Sequence, residues 1–331
     1  DHLGRSKGMI STTDLQWRTP YGFMHPDTGL VSELIDDYGV TLEPEVFDEE
    51  HSIAAIIPFL HKTWPKAKIV PLHVKEDLDP LVSQRIADML ADDMVMLVAS
   101  VDFSHYLSSE VSFFHDEKSI NAIMGRDYTE LPNLEIDSSA SLRFAFDFAE
   151  QTSTEKFDLY INENSNSFFG YPIEETTGYV VGGFVTGIKE QESQVTILSV
   201  GDMMFDRGVK DNMKKHGDQY PFEKIRGAED RFFRGVDIIL GNLEGAISKP
   251  LDPIKQNDFA FGEVVGGLLG TYNFSAVNLA NNHSIDQGQD GYENTVSVLA
   301  ENIVGHFGHQ TIEDSDVWKT EVGGKKVVVV E

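Results

Sequence analysis

Three short stretches in the second half of the chain set acidic, amide and imidazole groups directly behind apolar runs. Gly201-Asp202 follows Val195–Val200, Gly241-Asn242-Leu243-Glu244 follows Val236–Leu240, and Ala280-Asn281-Asn282-His283 follows Ala276–Leu279. Their spacing is one strand–helix unit each. In an open parallel sheet, ligands bind beyond the carboxyl ends of the strands. Asp202, Glu244, Asn282 and His283 are therefore expected to converge on one edge. Hard oxygen donors with one imidazole suit Mn²⁺, Mg²⁺, Fe or Zn²⁺. Two such ions can clamp a phosphoryl group or similar oxyanion and generate hydroxide. Taken singly, an Asp or Asn behind a strand is a turn former or a helix cap. Three in register, the last with Asp286 and Gly288 behind its Asn-His pair, favour a shared site.

The first half carries two further clusters. Glu49-Glu50-His51-Ser52 opens an apolar helix running to Leu60, and Ser100-Val101-Asp102-Phe103-Ser104-His105-Tyr106 follows the apolar run Met94–Ser100. A His beside carboxylates is a metal-ligand or acid–base candidate. The plainer alternative stays open: Glu50 and Ser52 as first-turn and capping residues, and Asp102 as a cap. His61, His73 and His115 read as structural or solvated residues on helix or strand surfaces.

Alternating strands and helices must position these groups, which predicts α/β layers. Residues 9–19 read as extended, 29–38 as a helix ending at Gly39, and 51–62 as a helix interrupted by Pro58. A strand over 67–74, a helix over 77–91 and a fully buried strand over 94–101 follow. Helices near 110–124 and 138–150 and strands near 156–161 and 178–188 close this half. The polar stretch Lys189–Gln194 reads as a linker. Beyond it come a strand at 195–201, a helix around 222–234, a strand at 236–241, a helix at 261–270, a strand at 275–280 and a helix at 288–301. A hairpin at 317–330 turns at Gly323-Gly324.

The chain has 331 residues, enough for two domains. Its 55 Asp and Glu against 26 Lys and Arg give a formal charge of −29, which disfavours binding to nucleic acid or an anionic membrane. A small anionic substrate held through metal ions remains compatible with that charge. Without cysteine, there are no disulfides, thiolate zinc sites, iron–sulfur clusters or Cys nucleophiles. No apolar run reaches the ~18 residues of a membrane helix. The chain opens at Asp1 in a loop-like segment and stops just after Val327–Val330, so it is read as a fragment cut at both ends.

The second-half motifs, GDMMFDRG (Gly201–Gly208), NLEG (Asn242–Gly245) and NLANNHSIDQGQDG (Asn278–Gly291), resemble the first three motifs of the CapA family of capsule and poly-γ-glutamate biosynthesis proteins. That resemblance implies a calcineurin-like metallophosphatase fold. Asp202 would hold one metal, Glu244 would bridge two and Asn282 would bind the second. His283 would hydrogen-bond or protonate the reacting group, with Arg207 and Asp286 in support. Met204 stands where ordinary metallophosphatases carry a His, and the family's later His-rich motifs would lie beyond Glu331.

DHLGRS (Asp1–Ser6), Ser11–Gly22, DEEHSIAAIIPFL (Asp48–Leu60), KIVPLHV (Lys68–Val74) and SVDFSHY (Ser100–Tyr106) resemble the MEMO1 family, which includes the B component of the AmmeMemoRadiSam system. The similarity runs over roughly residues 1–188. It implies a fold like the LigB-type class III extradiol dioxygenases, which use iron bound by two His and a carboxylate. His2 matches a site histidine, and Glu50, His51, Asp102 and His105 match pocket residues. Asp137 stands where animal members carry a Cys, which would favour a harder metal site; its alternative reading is a helix N-cap.

The expectation is thus a MEMO/LigB-like α/β domain (1–189), a linker (190–194) and a partial calcineurin-like metallophosphatase α/β domain (195–331). The catalytic candidates are His283, His51 and His105, with metal candidates Asp202, Glu244, Asn282, His2 and Asp137. The implied cofactors are divalent metal ions. The implied partners are radical-SAM and AMMECR1-like proteins, with an anionic polymer or phosphoryl substrate. The alternative is a MEMO-like binding or scaffold module without turnover. MEMO-like proteins point to the cytoplasm and CapA-like proteins to the cell envelope, and the sequence does not choose.

Overall fold

Three helices in the first half begin where the residue ahead of them supplies a side-chain acceptor. Asp27 accepts the N–H groups of Gly29 and Leu30, Asp79 that of Leu81, and Ser138 that of Ser141. The computed structural model describes residues 4–92, 94–169, 171–187, 195–223, 225–227, 230–250, 258–309 and 317–330. The chain divides into two units, Asp1–Gln191 and Glu192–Glu331, each a mixture of helix and strand. The expected linker at 190–194 lies outside the described residues.

The first unit contains β1 (Ile10–Thr12), β2 (Trp17–Thr19), β3 (Gly22–Met24), α1 (Thr28–Tyr38), β4 (Thr41–Leu42), α2 (Ser52–Thr63) and β5 (Leu72–Val74). It continues through α3 (Pro80–Leu90), β6 (His105–Leu107), α4 (Ser109–Gly125), α5 (Ser139–Gln151), β7 (Lys156–Asn164) and β8 (Thr176–Val185). The first sheet runs β4-β1-β5 and the second β6-β8-β7. The helix α5 serves two cores. Phe144 packs with Ile10, Leu34, Val74 and Ile86, whereas Leu142 and Phe146 pack with Phe103, Ile123, Leu131 and Leu134.

The second unit contains β9 (Ile197–Met203), α6 (Arg207–His216), β10 (Ile238–Leu243), β11 (Ala246–Ile247), β12 (Ala260–Phe261) and α7 (Val264–Thr271). It ends with β13 (Ala276–Asn278), α8 (Gly288–Glu301), β14 (Gly305–Phe307), β15 (Val317–Val322) and β16 (Lys325–Val330). Its main sheet has the order β14-β13-β10-β9, with all neighbours parallel. Ile238 and Ile239 are buried on successive pleats of β10, as expected of a strand covered on both faces. The hairpin β15–β16 turns at Gly323 and Gly324, whose φ values of 54° and 76° suit the expected two-residue turn.

Four expectations are corrected. Residues 94–101 form no strand: Met94, Met96 and Val98 are exposed, while Val95 and Leu97 pack on the first core. The run is apolar on both faces, but only one face finds partners. The described part of 222–234 is a series of turns. Gly227 and Asp230 there adopt left-handed φ values of 68° and 62°, which break a helix, and Phe232 and Phe233 are buried without one. Of 67–74 only Leu72–Val74 is strand, because Pro71 has no N–H to give a ladder. Finally, His61 and His115 are buried rather than superficial. The helix α6 escapes the apolar pattern because only its Met213 is buried.

Candidate functional site

The parallel sheet of the second unit delivers Asp202, Asn242 and Asn278 at the ends of adjacent strands. The register of β9 on β10 is interrupted. Leu240 pairs with Ser199 but Asn242 pairs with Asp202, so β9 spends one extra residue over that step. The Nδ2 of Asn242 donates to Asp202 Oδ1 at 2.6 Å. The Oδ1 of Asn242 accepts from Nδ2 of Asn278 at 3.2 Å and from Nδ2 of Asn281 at 3.0 Å. Asn281 also donates to the carbonyl of Leu243. One amide network therefore ties all three strand ends together.

Beyond β13 the chain makes an Asx turn: the N–H of His283 donates to Asn281 Oδ1 at 3.0 Å. The turn lays the imidazole between two carboxylates. Its Nδ1 is 2.7 Å from Asp286 Oδ2, and its Nε2 is 3.9 Å from Glu244 Oε1. A carboxylate at Nδ1 fixes the proton there and turns Nε2 toward Glu244. At 3.9 Å, Nε2 and Glu244 are not hydrogen-bonded to each other, so both can address a third group. Asp286 also accepts the N–H of Phe259 at 2.8 Å, and the buried Gln287 donates to the carbonyl of Phe259 at 3.0 Å. The Phe259 ring lies 4.3 Å from that of His283, and the Arg207 guanidinium lies 4.6 Å from the centre of the same ring. Asp206 caps α6 and accepts the N–H of Ala260 at 2.9 Å. Burial opposes its charge, but the N–H groups of Ala260 and Arg207 and the Lys210 ammonium outweigh burial and hold its pKa below the ordinary carboxylate value.

Asp202, Glu244, His283, Asp286 and the Arg207 side of Phe259 are thus linked through short contacts at one sheet edge. Asn282 is exposed, and the amide that reaches Asn242 belongs to its neighbour Asn281. Among the described residues, no three His, Asp or Glu side chains are gathered closely enough to hold an ion by themselves. Asp202 and Glu244 supply hard carboxylate oxygens and His283 one imidazole at this edge, residue types suited to a divalent ion although they are not drawn together around one point.

In the first unit, the pocket candidates separate into two groups. Glu50 accepts the N–H groups of Ser52 at 2.7 Å and Ile53 at 2.8 Å, so it caps α2. His51 precedes that helix and is exposed. Asp102 and Asp137 lock together instead: Asp102 N–H donates to Asp137 Oδ1 at 2.9 Å, and Asp137 N–H to the Asp102 carbonyl at 3.0 Å. The cap of α5 is Ser138, which frees the Asp137 side chain for this bond. The Nε2 of His105 lies 3.3 Å from Asp102 Oδ2. That hydrogen bond raises the His105 pKa; burial opposes it, and the charges of Asp102 and Asp137 add to it. Ser100 Oγ donates to the Ser52 carbonyl at 3.1 Å, tying the loop ahead of β6 to the start of α2. His2 lies outside the described residues.

Asn242, Asn281 and Phe259 are the participants absent from the expected site. The two amides stand inside the quoted motifs, Asn281 one residue from the candidate Asn282 and Asn242 two from Glu244, whereas nothing in the sequence marks Phe259.

Comparison with known proteins agrees with both resemblances. Residues 1–166 match the model of the Memo-like protein family, and residues 196–331 that of the bacterial capsule synthesis protein PGA_cap. A MEMO1 family protein of Caldivirga maquilingensis is 25% identical over 195 residues, covering 54% of this chain and 67% of the relative. One from Nitrosopumilus maritimus is 25% identical over 132 residues, covering 38% and 48%, and one from Methanopyrus kandleri is 29% identical over 134 residues, covering 38% and 47%. The chain therefore spans about half the length of the latter two.

Proposed function

The chain belongs to the Memo-like family and carries a second half matched by the capsule-synthesis family; from that premise we propose a two-domain protein whose second unit is a metal-assisted hydrolytic site for a phosphoryl group or similar oxyanion, built on a calcineurin-like fold. The observation that carries this reading is the line Asp286–His283–Glu244 beside the Asn242–Asp202 pair, all at the carboxyl edge of a parallel sheet. Asp202 and Glu244 would hold the ion, with Asn282 or Asn281 completing its oxygens. A divalent ion held by these residues would supply positive charge to the reacting group and activate water for attack. Asp286 accepts the Nδ1–H of His283 and orients Nε2 toward the reacting group; as the imidazolium, protonated on both nitrogens and stabilised by Asp286, His283 would give its Nε2 proton to the leaving oxygen and keep the one on Nδ1. The tethered Phe259 covers the other side of the imidazole and limits its contact with water. A polymer of the bacterial capsule is the substrate class that the family name suggests.

For the first unit the reading is a pocket of dioxygenase-like fold, working within a radical-SAM-associated modification system with AMMECR1-like partners. Asp102, Asp137 and His105 would be its working groups, with a metal held by Asp137 and His2. The alternative, a binding module without turnover, is supported by Glu50, whose carboxylate is engaged as a helix cap.

The test is metal analysis and hydrolysis of phosphoester probes by the full chain loaded with Mn²⁺. Asp202→Ala and Glu244→Ala are expected to lose the metal, whereas His283→Ala keeps it and loses turnover. If all three variants bind metal like the parent, the site assignment is wrong. Asp137→Ala separates the two readings of the first unit: unchanged metal content favours the binding module.

A further inference from the structure

Four carboxylates, Asp202, Asp206, Glu244 and Asp286, border the edge described above, and beside Lys210, which pairs with Asp206, a second cation, Arg207, lies against the Phe259 ring that packs on His283. Arg207 is exposed and starts α6 with a φ of 51°, a left-handed backbone that side chains rarely adopt. Asp206 is engaged by Lys210 and by the N–H of Ala260, and Asp286 by His283, so the neighbouring acids are committed elsewhere. The guanidinium rests on the Phe259 ring at 4.6 Å, and that ring is itself 4.3 Å from His283. Phe259 does not float: Asp286 grips its N–H and Gln287 its carbonyl. Stacking on an aromatic face leaves the N–H fork of an Arg available in the ring plane, the geometry that recognises phosphoryl oxygens in pairs.

We propose that Arg207 is a substrate-binding residue that takes an anionic phosphoryl oxygen of the substrate, and that Phe259 is the positioning residue that fixes its distance from the proton-transferring His283. This rests on the hydrolytic reading of the second unit and narrows it. The substrate carries a non-bridging oxyanion that Arg207 neutralises, so the site need not place all of that charge on metal. Arg207 contributes to binding the substrate and its transition state alike, and its loss falls on KM more than on kcat.

Inorganic phosphate titrated calorimetrically into the full chain in the presence of Mn²⁺ tests the proposal. Arg207→Gln is expected to weaken phosphate by at least about tenfold, as befits one charge-assisted contact. Arg207→Lys, which keeps the charge but not the stacked fork, recovers part of it. Phe259→Leu leaves the Arg in place and still weakens phosphate several-fold. With p-nitrophenyl phosphate, Arg207→Gln raises KM while kcat stays within about twofold. Should Arg207→Gln fail to fold, as judged by circular dichroism, Arg207→Lys and Phe259→Leu carry the test. Unchanged phosphate affinity in the variants, or no phosphate bound by the parent, overturns the proposal. Phosphate binding that depends on Arg207 but without turnover refutes the hydrolytic reading and leaves the role of Arg207 standing. Turnover with an Arg207-independent phosphate affinity does the reverse.

Discussion

Asp286 holds His283 and Phe259 with one carboxylate oxygen: its Oδ2 is 2.7 Å from the imidazole Nδ1 and 2.8 Å from the Phe259 N–H. Replacing it by Asn keeps the size and removes the charge that fixes the tautomer. Asp286→Asn is expected to lower turnover of a phosphoester probe by about 10–100-fold while metal content is unchanged. Steady-state kinetics alongside metal analysis checks this, and parallel loss of metal and turnover would contradict a purely orienting role.

His105 has a raised pKa because Asp102 hydrogen-bonds to it. A folded-state pKa above the unfolded value of about 6.5 gives stability that is complete below that pH and fades as pH rises through the raised value. Asp102→Asn should bring the His105 titration down, since the opposing effect of burial then acts with less to balance it. Imidazole proton shifts followed by NMR against pH report the midpoint directly.

Asp116 is buried and accepts from the Ser104 N–H at 3.3 Å and from the Ser104 hydroxyl at 2.9 Å, and burial pushes its pKa up to about 6. The unfolded carboxyl titrates near 3.9, so the folded state holds the extra proton between the two values. Stability of the first unit should fall by roughly 2–3 kcal/mol as pH rises across that window. Asp116→Asn flattens the slope, and urea unfolding at about pH 4 and pH 7 compares the two proteins.

A β-carbon on Gly178 would stand 2.2 Å from Asp116 Oδ2. Gly178→Ala should therefore displace a buried carboxylate and cost about 1–3 kcal/mol. Thermal unfolding of the first unit is the measurement, and an unshifted midpoint would show that the Asp116 side chain moves aside freely.

Phe146 is fully buried and meets Tyr128 and Phe184 edge to face at 5.4 Å and 5.8 Å. Phe146→Ala is expected to destabilise the first unit by about 3–5 kcal/mol. The unfolding transition of the second unit should stay in place, which differential scanning calorimetry on the full chain resolves.

Much of the candidate site was legible because residue type and position agreed. An acid or an imidazole behind an apolar run is unusual enough to notice, and the parallel sheet sets the ends of β9, β10 and β13 side by side, with Glu244 and His283 just beyond β10 and β13 and 3.9 Å apart. The choice between Asn281 and Asn282 was not legible, since it depends on a turn in which Asn281 accepts the His283 N–H. The same holds for Asp137 and Ser138: adjacent residues competed for one capping role, and Ser138 took it. Phe259 belongs to no motif, because its role comes from where Asp286 and Gln287 pin its backbone. In the fold, Met94–Val101 misled because hydropathy reports what a residue tolerates, not whether a neighbour arrives to cover it.

The extra residue in β9 has a consequence for kinship. Asp202 meets Asn242 only because β9 advances three positions while β10 advances two. Were β9 to run past β10 without that bulge, Gly201 would stand opposite Asn242 and the pleat alternation would turn Asp202 to the far side of the sheet, although every motif letter would survive. A relative that keeps these letters but pairs its strands without the bulge would look faithful in any letter-by-letter comparison and yet carry its acid on the opposite face. The aim of this acid is written in arithmetic rather than in spelling.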